Sequence, residues 1–176
     1  MPENNNKNIE LLFYMLDDIR RITLKGISGL TKEQLFQPPV EGEFPIGAYI
    51  MHLGECDLGW LSTISGEEQP AELKKRVYYS AWFDTTPEEF APPKEALEVD
   101  EYVNAITEAR KRLREYMLSM DDNQLEDKIT RKYADREKTY SKKWIIYHLI
   151  EHEAHTRGQM FMLIRMAGFK KKGENN

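Results

Sequence analysis

The stretch Ser141-KKWIIYHLIEHEAHTRG-Gln159 decides how this chain is read. Ser141 is a good N-cap, no proline interrupts the segment, and Gly168 offers a stop, so the spacing predicts a helix from Ser141 to about Met166. The chain has four histidines, and three of them, His148, His152 and His155, fall within this segment. At 3.6 residues per turn they project within about 60° of one another, together with Gln159, Trp144, Met162 and Met166. Polar groups set in an apolar stripe need hydrogen bonds or a metal to be tolerated in a core. Function is therefore sought here, with His52 as the partner from elsewhere in the chain.

Working outward, residues 8–27 carry Ile9, Leu12, Phe13, Leu16, Ile19, Ile22, Thr23 and Ile27 at helical spacing. Thr31 to Gln34 has the form of a capping box on a short helical turn that Pro38 and Pro39 stop. Pro45 suits the first position of a second helix running to about Ile64, whose apolar face has His52 and Cys56 alongside. From Ser65 to Glu98 the periodicity dissolves, apart from one expected helical turn near Leu73. The aromatic residues Tyr78, Tyr79, Trp82, Phe83 and Phe90 fit either a lid or a plug on the flank of the helices.

A third long helix is expected from Asp100 to Met120, followed by an irregular hairpin between Leu125 and Tyr140 anchored by Ile129 and Tyr133. Four long amphipathic helices without βαβ alternation predict an all-α fold, a four-helix bundle with a long loop between the second and third helices. With no linker-like stretch, residues 1–176 are read as a single domain.

Composition narrows the function classes. The chain is 40% hydrophobic and 31% charged, without an apolar run long enough for a membrane span or a signal-peptide core. A cytoplasmic protein without a membrane partner is expected. The formal charge of −5 and the lack of a basic helix argue against nucleic acid. The basic Lys170 to Lys172 run is read as a solvated terminus. The single cysteine, Cys56, excludes an intramolecular disulfide; it lies one turn after His52, where a small buried hydrophobe is its ordinary role and ligation the alternative.

Imidazole favours Zn2+ or Ni2+, and a catalytic zinc site commonly uses three protein ligands. His148 and His155 are about 10 Å apart along a helix axis, too far to share one ion easily. His152 belongs to both workable pairs and His52 donates from the second helix. His148 is preferred narrowly over His155 as the third ligand, because it projects closer to His152. Glu55 and Glu151 are the candidate proton carriers. The competing reading is a buried hydrogen-bond network joining the imidazoles to Gln159, Tyr147 and nearby carboxylates. His148-Leu-Ile-Glu151-His152 also matches the H-x-x-E-H string of zinc peptidases, but too little chain follows it for that fold.

The order and spacing of Leu30-TKEQ-Leu35, Pro38, Ile46-Gly47, His52-Leu53, Glu55, Trp60, Trp144, His148, His152 and Arg157-Gly158-Gln159 resemble the DinB/YfiT-like superfamily of bacterial four-helix proteins. The resemblance spans nearly the whole chain. It implies a mononuclear zinc or nickel site with one histidine from the second helix, matching His52, and two from the last, the first matching His152. The family's second histidine on the last helix precedes Arg-Gly-Gln, and here that position is Thr156, a poor zinc ligand. Arg157 and Gln159 match the motif and are read as support for a ligand histidine's other nitrogen.

The resemblance further implies thiol transfer, with a low-molecular-weight thiol as co-substrate, or hydrolysis, acting on a small molecule. The alternative is a non-enzymatic, stress-associated or ligand-binding bundle with structural histidines. A homodimer is expected from the family's habit and because Ile145, Leu149, Phe161 and Ile164 do not share the face of His148, an apolar surplus that is buried between subunits or, alternatively, covered by the long loop.

Overall fold

The computed structural model describes residues 6–78 and 92–169, and they form a mostly helical fold. Helix α1 (Lys7–Ile27) buries the face the periodicity marks, from Ile9 through Phe13, Leu16 and Ile19 to Ile27. Its first turn is capped from a distance: the Asp122 carboxylate accepts the backbone N–H groups of Asn8 and Ile9, both at 3.0 Å, satisfying donors that a helix start leaves orphaned. The capping box of Thr31 and Gln34 starts α2 (Lys32–Phe36). Pro45 sits one residue earlier than expected, as the N-cap of α3 (Ile46–Ser65), which ends on Gly66 at φ 74°.

The helical turn expected near Leu73 is α4 (Ala71–Arg76), which buries Leu73 and is followed by buried Val77. Val77 approaches α3 so closely that a Cβ on Gly54 would lie 2.7 Å from its Cγ1. Of the aromatic residues expected in this connection, Tyr78 packs against the core, whereas Tyr79, Trp82, Phe83 and Phe90 lie outside the described residues, as does the run Lys170 to Lys172.

Helix α5 (Val99–Leu118) begins slightly before Asp100, because Glu98 and Glu101 form the capping box. After a 3-10 turn (Asp122–Glu126), strands β1 (Lys128–Lys132) and β2 (Glu137–Ser141) make an antiparallel hairpin, with Ile129 opposite Tyr140 and Arg131 opposite Lys138. Ser141 accepts the Trp144 N–H to start α6 (Lys142–Met166).

Helix α3 packs on α5 and α6, and α1 on α6 and α5. Two apolar clusters fill the interior. One gathers Ile27, Leu35, Ile46, Tyr102, Ala105 and Leu163; the other gathers Phe13, Leu16, Leu61, Leu113, Ile145 and Leu149. Where they meet, each long helix places one charged residue at a core position: Arg20, Asp57, Arg110 and Glu153, all buried. The Arg20 guanidinium donates to Glu153 at 2.9 Å, to Asp57 at 3.1 Å and to the Ile106 carbonyl at 2.9 Å. Arg110 donates to Asp57 at 2.8 and 3.1 Å, to Glu153 at 2.8 Å and to the Leu16 carbonyl at 3.0 Å. Two cations and two anions balance, the condition under which charges tolerate burial.

The apolar surplus on α6 is accounted for within the chain. Ile145, Leu149 and Ile164 are buried, and Phe161 lies over Gly26, where a Cβ would meet its ring at 1.8 Å. These four residues therefore carry no argument for a dimer. No helix among the described residues is long and apolar enough to cross a membrane.

Candidate metal centre

Helix α3 places His52 and Cys56 one turn apart, and α6 brings His152 against them. The two imidazoles meet Nε2 to Nε2 at 3.2 Å, and the Cys56 Sγ lies 3.6 Å from the His52 Nε2 and 3.8 Å from the His152 Nε2. Tetrahedral zinc, with Zn–N near 2.05 Å and Zn–S near 2.3 Å, separates two nitrogens by about 3.3 Å and a nitrogen from a sulfur by about 3.6 Å. The three donor atoms thus stand at the corners of one face of such a polyhedron. Among the described residues His52, Cys56 and His152 form a group that could hold a metal ion, and its donor chemistry, two imidazoles and a thiol, suits a borderline-soft cation.

The surroundings prepare the two imidazoles for this use more than the thiol. The His52 Nδ1 faces the Glu55 Oε2 at 2.9 Å. A carboxylate at this position favours the tautomer with the proton on Nδ1, which leaves Nε2 to face His152. A histidine anchored in this way is what metal sites use to fix ring and tautomer. Burial, reinforced by the neighbouring His52 and His148 rings, pushes His152 down to about 4, so its imidazole is neutral at neutral pH. Burial, with the Glu55 and Asp57 carboxylates adding to it, pushes the Cys56 thiol up, so it becomes a thiolate ligand only if a metal displaces its proton.

The charged layer sets the distance between the two halves of the site. Asp57 follows Cys56 and Glu153 follows His152, and both carboxylates are clamped by Arg20 and Arg110. Sequence reasoning left this layer out. Its signal is the appearance of Arg20, Asp57, Arg110 and Glu153 at positions where the apolar period of each helix calls for a hydrophobe.

The other sequence candidates lie elsewhere. His148 is outside the donor group: its ring stacks on Trp144 at 4.9 Å and 8° and stands 5.9 Å from the His152 ring. His155 and Gln159 are exposed, as are Met162 and Met166, so that stripe runs out to solvent, away from the core. Angles projected on α6 alone place His148 nearer His152 than His155, and they hold no information about what α3 offers opposite. Arg157 reaches the Ile19 carbonyl at 3.5 Å, tying α6 to α1. Thr156 is buried in the core. Glu55 is engaged with His52, whereas Glu151 is half-buried without a hydrogen bond or ion pair among the described residues.

A mostly helical fold whose second and last long helices carry a histidine and thiol cluster defines a class of helical proteins with a potential metal site. The DinB superfamily model matches residues 15–160, and the chain belongs to that superfamily. A crystal structure of a DinB-like protein from Bacillus cereus ATCC 10987 has the same fold, with a TM-score of 0.66, 20% identity, and 94% of this chain and 97% of that chain covered. No curated protein matches the sequence.

Proposed function

We propose that the protein is a mononuclear divalent-metal protein, a single domain built as a four-helix bundle, that acts on a small molecule by thiol transfer or hydrolysis. The observation that carries the reading is the triangle of donor atoms, 3.2, 3.6 and 3.8 Å on a side. His52 and His152 are its imidazole ligands. Cys56 takes the third place, which neither Thr156 nor the stacked His148 supplies. A thiolate beside two imidazoles suits zinc or nickel better than harder cations. When bound, the ion would lower the pKa of a coordinated water or thiol, supplying a nucleophile near neutral pH. Glu55 orients His52, and Glu151, one residue before His152, is the carboxylate available to carry a proton.

Cobalt substitution tests this. Co2+ added to the metal-free protein should give visible bands of tetrahedral coordination and a near-ultraviolet thiolate-to-metal band. With one cysteine in the chain, that second band has a single source. It should vanish in Cys56→Ser, and His52→Ala or His152→Ala should abolish tight binding. Visible bands without the thiolate band would return the third place to His148 or His155. Absence of binding would overturn the metal reading itself.

A homodimer is part of the same proposal, now supported by a different surface. Leu11, Tyr14 and Met15 share one face of α1 and are 56%, 69% and 39% exposed. Light scattering that gives a monomer at micromolar concentration would remove it.

A further inference from the structure

The β1–β2 hairpin is strongly basic in an acidic protein. Between Lys128 and Ser141 five lysines and arginines stand against Asp135 and Glu137, while the whole chain carries a formal charge of −5. Strand alternation sorts these charges by face. One face pairs Thr130 with Thr139, whose hydroxyls are 2.9 Å apart, and Lys132 with Glu137, an ion pair at 3.4 Å. The other face carries Ile129 and buried Tyr140, then Arg131 directly opposite Lys138, and has no acid. Like charges directly opposite across an antiparallel pair are destabilising. Neither cation has a carboxylate partner among the described residues.

Aromatic rings lead from that face to the metal centre. The Arg131 guanidinium lies 5.4 Å over the Trp60 ring, and the Lys138 ammonium lies 5.2 Å over Tyr140 and 5.8 Å over Trp144. Trp60 stands one turn after Cys56 on α3. Its ring meets His148 edge-on at 5.6 Å, and the His148 ring is 5.9 Å from that of His152. Cation–π contact orients a cation without neutralising it, so both charges stay available to an anion.

We propose that the hairpin is the substrate-recognition wall of the metal site, with Arg131 and Lys138 binding an anionic group, a carboxylate or a phosphate, of a small molecule that lies along Trp60, Trp144 and His148. The inference rests on the metal reading above and adds the substrate class. An anion between the two strands offsets the repulsion that Arg131 and Lys138 otherwise bear, and the aromatic rings hold the rest of the molecule toward His152.

Two arms test it, with succinate and inorganic phosphate as probes at constant ionic strength. In the first, tryptophan emission of the metal-free protein should change saturably with one probe or both, and the stronger probe identifies the group. The Arg131→Gln, Lys138→Gln double variant should weaken that binding at least about tenfold, as expected for losing a charge-assisted hydrogen bond. Its melting temperature should be unchanged or higher, because a like-charge pair has been removed. No saturable response, or equal binding by the double variant, overturns the proposal. In the second arm the cobalt-loaded protein receives the same probes, and the visible spectrum should shift as the anion site fills. Cobalt that binds while its spectrum ignores the bound anion separates the two sites and overturns the assignment of the hairpin to the metal centre. Cobalt that never binds overturns the metal reading and that assignment together, and the emission arm then reports on the hairpin alone.

Discussion

Replacing Arg110 with Met tests the charged layer that joins the four long helices. Arg110 supplies three of the five hydrogen bonds that the two guanidiniums donate to Asp57 and Glu153, and one to the Leu16 carbonyl. Arg110→Met removes these and leaves two buried carboxylates facing one cation. Removing one partner of a buried ion pair costs about 3–5 kcal/mol, because an uncompensated charge stays behind. That is a large part of the roughly 5–15 kcal/mol that holds a domain folded. At a urea slope of about 2 kcal/mol per molar, the unfolding midpoint should fall by about 2 M with the slope unchanged. Arg110→Met combined with Asp57→Leu leaves the neutral Arg20–Glu153 pair and should recover most of the loss, a coupling that a double-mutant cycle reads directly. A single variant that loses less than about 1 kcal/mol, or a double variant whose loss equals the two singles added, would refute the account of the layer as a compensated unit.

Glu55→Ala should weaken zinc affinity about 10- to 100-fold by freeing the His52 ring, while His155→Ala, which alters an exposed side chain outside the donor group, should leave it unchanged. Competition with a chromogenic chelator reads both, and equal losses would contradict the geometry. Acid should act through Glu153. Burial favours raising its carboxyl, but Arg20 and Arg110 outweigh this and hold it below its ordinary value of 4.5. A carboxylate depressed in the folded state contributes stability that is complete above the unfolded value and is lost as the pH falls through the folded one. The urea midpoint should hold down to about pH 5 and fall below it, more steeply than in Glu153→Gln. Parallel acid profiles for the two proteins would show that Glu153 is not the group responsible.

Much of the fold is written locally. The apolar period of α1, α3 and α5, the capping box at Thr31, the Ser141 cap and the hairpin after Leu125 are short-range patterns, and each appears in the structure where the local chemistry puts it. His52 and His152 were also legible, since few residue types bind a borderline metal and the chain has only four histidines. The third member of the group that could hold a metal was legible only as an alternative. Cys56 lies one turn after His52 in the sequence, yet only the packing of α3 on α6 puts its sulfur 3.8 Å from the His152 Nε2, and no helical projection of α6 alone contains that information. The same limit made the stripe of His155, Gln159, Met162 and Met166 look internal, because one helix's periodicity marks which residues share a face without saying which face its neighbours cover. The charged layer shows the division most clearly. Each of Arg20, Asp57, Arg110 and Glu153 is, within its own helix, a local contradiction of the apolar pattern, and only the meeting of four helices makes them a neutral cluster in which every charge has partners.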